Sequence, residues 1–149
     1  MRSNGSKAVL GCGAVVGAVV GVAGVGVADA APATQLCTIN YPIPNAFSVQ
    51  ASSVASASSA NGFVDLTLHT NAKSYLGYEQ TFRVSWANID TGFSGYENVV
   101  ARVSGPDTVL SIPHIETKSG HVYFVLGVTN HGIAQTYTNG DCTVDYTAN

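Results

Sequence analysis

Apolar and polar residues alternate along much of this chain. Val64, Leu66 and Leu68 alternate with Asp65, Thr67 and His69; Phe82, Val84 and Trp86 alternate with Arg83, Ser85 and Ala87; Val122, Phe124, Leu126 and Val128 alternate with His121, Tyr123, Val125 and Gly127. Side chains of a strand point to opposite faces in turn, so each set predicts a strand with one face in a core. Weaker runs at 47–54, 98–103, 108–114 and around Cys37 and Cys142 predict further strands. No segment of 31–149 places apolar residues three and four apart over helical length. Turn chemistry separates the runs: Asn61-Gly62, residues 71–77, Gly92 with Gly95, Ser104-Gly105-Pro106-Asp107, Ser119-Gly120, Asn130-His131-Gly132 and Asn139-Gly140. Short strands and frequent turns predict an all-β fold, an antiparallel β-sandwich of immunoglobulin-like architecture with about seven to eight strands, or else a small barrel.

The first thirty residues follow another pattern. After Arg2 and Lys7 comes an uncharged run of Ala, Val, Gly and Leu over 8–27, ending in Ala28-Asp29-Ala30. That is the layout of an export signal cleaved after Ala30. A retained membrane helix competes, because the run is long enough to span a bilayer and holds Gly13, Gly17 and Gly21 at close-packing spacing. No basic stop-transfer cluster follows, and Ala31-Pro32-Ala33 reads as a free mature end. The expectation is therefore a signal peptide over 1–30, carrying Cys12 away with it, and one secreted, extracellular domain over 31–149.

Charge and cysteines narrow the role of that domain. Lys73, Arg83, Arg102 and Lys118 face eight Asp and Glu, with no basic cluster. Nucleic acid and anionic membrane are thereby poor partners. Two cysteines remain, Cys37 and Cys142, in a compartment where thiols oxidise. Cys37 shares parity with Ile39 and Tyr41, and Cys142 with Val144 and Tyr146, so both sulfurs are expected inward from terminal strands, joined in a disulfide. Closing so long a loop stabilises by up to about 4–5 kcal/mol in chain-entropy terms. The segment ASSVASASSA at 51–60 is read as a thin-sided strand or loop within the domain. Trp86 lies too far beyond Cys37 for the antibody-type Cys–Trp–Cys arrangement. The 31–149 stretch has no Asn-x-Ser/Thr sequon, which is compatible with a bacterial source.

Candidate chemistry centres on NIDTGFSG, residues 88–95. Ile89-Asp90-Thr91-Gly92-Phe93-Ser94-Gly95 resembles the active-site segment of retroviral-type aspartic peptidases. The resemblance implies a homodimer in which two Asp90 carboxylates share a proton and activate water, with Val125-Leu126-Gly127 as the downstream apolar pair and glycine. The interval between Asp90 and Gly127 is short for that family's strands and flap, and Val128-Thr129-Asn130-His131-Gly132 stands where its helix follows. The favoured alternative is mechanical: Asp90 and Thr91 bond nearby amides, Gly92 or Gly95 supplies a positive φ, and the segment is a strand-to-strand turn. Its residues Asp90, Phe93 and Tyr96 are then candidates for a binding loop, and Tyr75 and Tyr78 widen the aromatic patch. His114 and His121 flank the turn at 116–120 and can meet across a hairpin, with His131 in the next loop; zinc needs three or four converging ligands, and the expectation is no metal. No Gly-x-Ser-x-Gly elbow and no phosphate-binding glycine loop occurs, and no cofactor is expected.

A looser resemblance concerns Gly105-Pro106-Asp107-Thr108 and Ser119-Gly120-His121-Val122-Tyr123-Phe124. With the export signal and the acidic all-β domain, these are similar to small secreted immunoglobulin-like sandwich proteins of mycobacteria and related actinobacteria. That resemblance implies a fold and an extracellular location without an activity. The expected function is a secreted, monomeric, non-catalytic protein that binds a protein or cell-surface ligand or serves at a surface; the alternatives are the Asp90 peptidase and a secreted protease inhibitor presenting a loop.

Overall fold

The computed structural model describes residues 31–149; the expected signal peptide lies outside the described residues. Eight strands follow in order: β1 (Thr34–Ile43), β2 (Ala46–Ala60), β3 (Phe63–Asn71), β4 (Tyr78–Asn88), β5 (Ser94–Val103), β6 (Thr108–Glu116), β7 (Gly120–His131) and β8 (Tyr137–Ala148). A single 3-10 turn, Ile133–Gln135, precedes β8. The strands form two four-stranded antiparallel sheets, β1-β2-β3-β6 and β5-β4-β7-β8. The sandwich is the architecture the alternation predicts. Its strand order keeps three consecutive strands in the first sheet, whereas the immunoglobulin order sends the third strand to the opposite sheet.

Alternation dictates the core. Val64, Leu66 and Leu68 from β3, Phe82 and Val84 from β4, and Val122, Phe124, Leu126 and Val128 from β7 are all buried in one cluster. Each fully buried side chain of this size contributes about 1.5–3 kcal/mol of transfer free energy. The Ala/Ser segment is part of β2, the longest strand. It turns Ala51, Ser53, Ala55, Ala57 and Ser59 inward. Phe82 and Phe124 of the other sheet belong to the same buried cluster, and small side chains on one inner face leave room for large ones on the facing sheet. Asn61 and Gly62, at φ 55 and 79, make the β2–β3 hairpin turn.

The expected turn at Asn139-Gly140 is not formed, because both residues lie inside β8. Gly140 is there for proximity: a Cβ on it would come 2.9 Å from the Asn40 carbonyl oxygen and 2.7 Å from Ile39 Cγ2. Its bare backbone lets β1 pack on β8 and closes one side of the sandwich. Cys37 and Cys142 are bonded across that side, 6.6 Å apart at Cα and 105 residues apart in sequence.

One end of the core is polar. Gln80 donates through Nε2 to Tyr41 (2.8 Å) and Asn130 Oδ1 (2.7 Å), while its Oε1 accepts from Thr70 (2.6 Å). Ser53 bonds Tyr41 (3.1 Å) and Thr70 (2.7 Å); Tyr78 donates to Tyr41 (3.2 Å); Asn130 donates to Thr138 (3.3 Å). All are buried, and they come from six strands. Burial, and after it the hydrogen bond with Tyr41, pushes the Tyr78 phenol far above its ordinary range.

Candidate functional site

The turn after β4 is organised by Asn88, whose side chain is 1% exposed. It occupies the inward parity of β4, one step beyond Trp86. Its Nδ2 donates to the carbonyls of Thr117 (3.0 Å), Lys118 (3.2 Å) and Ser119 (3.2 Å). Its Oδ1 accepts from the amides of Asp90 (3.0 Å) and Thr91 (3.1 Å), an Asx turn. Gly92 supplies the positive φ, at 74. Asp90 then reaches the first residues of β7: its Oδ2 accepts from the His121 amide at 2.7 Å, and the Ile89 amide donates to the His121 carbonyl at 2.8 Å. A Cβ on Gly120 would stand 2.7 Å from that carboxylate oxygen.

Val125-Leu126-Gly127 is not brought beneath Asp90. Gly127 pairs with Arg83, five ladder steps from the Asn88–Val122 pair, or about 17 Å along the strand. The histidines are likewise dispersed. β6 and β7 belong to opposite sheets, so the segment after Glu116 is a crossover and not the expected hairpin. His114 stacks on Phe63 with ring centres 4.3 Å apart, His131 on Tyr137 at 4.6 Å, and His69 pairs with Asp107 at 3.1 Å. Among the described residues no three His, Cys, Asp or Glu side chains are grouped as metal ligands.

Phe93 and Tyr96 leave the turn in different directions. Phe93 lines a cleft between the edge strands β5 and β6, with the Lys118 ammonium 5.5 Å from its ring centre. Lys118 also pairs with Glu116. Tyr96 stands on the outer face of the second sheet. Tyr78 is in the core and Tyr75 is 96% exposed near the far end of β4, so the wider aromatic patch does not assemble.

Two concavities flank β5. The cleft has a volume of about 520 Å³, with Trp86, Val99, Ile112 and Ile115 among its apolar lining and Glu97, His114 and Glu116 as its titratable groups. Trp86 lies across Gly95, its cross-strand partner, so closely that a Cβ there would be 2.3 Å from Cζ2. Its indole Nε1 is buried without a hydrogen-bond partner, a local cost of about 1–3 kcal/mol.

The second concavity is a shallow trough on the outer face of the second sheet. Small residues make its floor: Ser85 and Gly127 in one hollow of about 320 Å³, Ser85 and Ala87 in an adjoining one of about 180 Å³. Tyr96, Val125 and Tyr123 wall it, and Arg83 and Asp141 stand on either side of Gly127. Neither charge takes part in an ion pair among the described residues. The face carries exposed Tyr96, Val100, Tyr123, Val125 and Tyr137, whereas the outer face of the first sheet presents mostly Thr38, Asn40, Ser52, Ser56, Ser58 and Thr67 along β1, β2 and β3, with half-buried Val54 and Phe63 and, on β6, exposed Val109. Asn88, Arg83, Tyr123 and Asp141 were not singled out from sequence. The available signal for Asn88 was its inward parity, and for the others their shared outward parity across paired strands.

Comparison of the chain with protein-family models, with curated proteins and with solved structures returns no match.

Proposed function

We propose that the chain is an exported, non-catalytic binding protein whose contact surface is the outer face of β5-β4-β7-β8, centred on the Tyr96–Tyr123 trough. The asymmetry between the two outer faces carries this reading. One is rich in Ser and Thr, with Val109 as its exposed large apolar residue; the other exposes three tyrosines and two valines around a floor of Ser85, Ala87 and Gly127. Tyrosine offers a rigid apolar ring with a polar tip, suited to a surface that is wet when free and covered when bound. Arg83 and Asp141 add one donor fork and one acceptor without an ion pair to break. The disulfide and the acidic balance support work outside the cell on a protein or cell-surface ligand. Among the described residues no helix is long and apolar enough to cross a membrane.

The test applies labelled 31–149 domain to arrayed surface glycans and extracellular proteins. Saturable binding to an array member, weakened at least tenfold by joint Tyr96→Ala and Tyr123→Ala substitution, is expected. Unchanged binding by that double variant, or turnover of a hydrolase substrate that Asp90→Asn abolishes, would overturn the proposal.

A further inference from the structure

Independently of the trough, we infer that the cleft beneath β5 receives a lysine or arginine side chain from an extended segment of a partner protein that pairs with the β5 edge. Three of the four sheet edges are blunted. β1 contains Pro42 and two register irregularities, and it packs on β8, to which the disulfide ties it. β6 carries Pro113 and a bulge opposite Asp65, where His114 has φ 63 and its amide donates to the Asp65 carboxylate at 2.7 Å. β5 pairs with β4 from Ser94 to Val103 without a register shift and contains no proline; it also approaches β6, less extensively than β1 approaches β8, and the cleft parts the two strands along residues 94–99. An unbroken edge strand presents free backbone donors and acceptors that an extended peptide can satisfy.

Charge selects the peptide. Glu97 pairs with Val84 and therefore shares the inward parity, yet it remains exposed and lines the cleft with no ion-pair partner among the described residues. The rings of Trp86 and Phe93 line the same cleft. A carboxylate beside aromatic rings fits a cation, and Lys118 already shows the mode, lying over Phe93 while paired with Glu116. Glu97 also discriminates. Two β5 edges pairing with each other would bring like charges together, whereas a basic segment gains an opposite charge.

Trp86 is the chain's single tryptophan, so its fluorescence reports cleft occupancy directly. The probes are a capped octapeptide of alternating threonine and lysine and its threonine–glutamate counterpart. The lysine peptide is expected to change Trp86 emission saturably, with affinity reduced at least tenfold by Glu97→Gln; the glutamate peptide is expected to give no change. Rising salt on the unsubstituted domain, which needs no variant to fold, is expected to weaken binding. Equal responses to the two peptides, no response to either, an unaltered affinity in Glu97→Gln or salt-independent binding would each overturn the inference. Loss of array binding in the Tyr96 and Tyr123 variant would leave it standing.

Discussion

The Asp90 carboxylate accepts a hydrogen bond from the His121 amide at 2.7 Å, tying the turn after β4 to the first residues of β7. A side chain that resembles a catalytic acid by its Asp-Thr-Gly setting has a local mechanical role. The bond is charge-assisted but exposed, so Asp90→Ala is expected to cost about 1 kcal/mol, or about 4 °C in melting temperature. Thermal unfolding followed by circular dichroism measures it.

Asn88 matters more than its neighbour. Its amide satisfies three carbonyls of the β6–β7 crossover and its oxygen two amides of the Asx turn, all at the end of the core. Asn88→Ala leaves several of these groups without partners and is expected to lower stability by about 2–4 kcal/mol, clearly more than Asp90→Ala, in denaturant unfolding.

The polar core layer sets a pH limit. Tyr78 stays protonated in the folded state well past the point where an unfolded tyrosine ionises, about pH 10. Above that pH the unfolded chain binds fewer protons than the native one, so stability falls as pH rises. The contribution is fully present below about pH 10 and is lost progressively above it. Denaturant midpoints measured from pH 8 to 11 are expected to decline less steeply in Tyr78→Phe than in the unsubstituted domain.

Gly95 and Trp86 offer a local probe. A side chain at Gly95 must displace the indole that lies over it. Gly95→Val is expected to move Trp86 into solvent and shift its emission to longer wavelength, while the far-ultraviolet dichroism remains that of a sandwich.

The strands were legible because burial imposes parity, which the sequence carries residue by residue. Val64, Leu66 and Leu68 announce β3 without knowledge of its neighbours. The polar layer was not legible, since Tyr41, Ser53, Thr70, Gln80, Asn130 and Thr138 meet only when six strands pair in one register. A signal did exist: Thr70, Gln80, Asn88 and Asn130 continue the inward parity of their strands with polar residues. Asn139-Gly140 misleads for the opposite reason, because a strong turn dipeptide serves close packing of β1 on β8. The candidate binding residues were found only in part. Tyr96 belongs to the outer face, but its companions Tyr123, Arg83 and Asp141 come from other strands, and strand order decides which side chains share a surface.

In the proposed function the turn after β4 holds the fold and the outer face of β5-β4-β7-β8 holds the partner. Asp90→Asn and Tyr96→Ala, compared in parallel for unfolding midpoint and for affinity toward the array ligand, separate the two roles. Asp90→Asn is expected to lower the midpoint and leave affinity unchanged, while Tyr96→Ala lowers affinity and leaves the midpoint unchanged; the reverse assignment would overturn the proposed function.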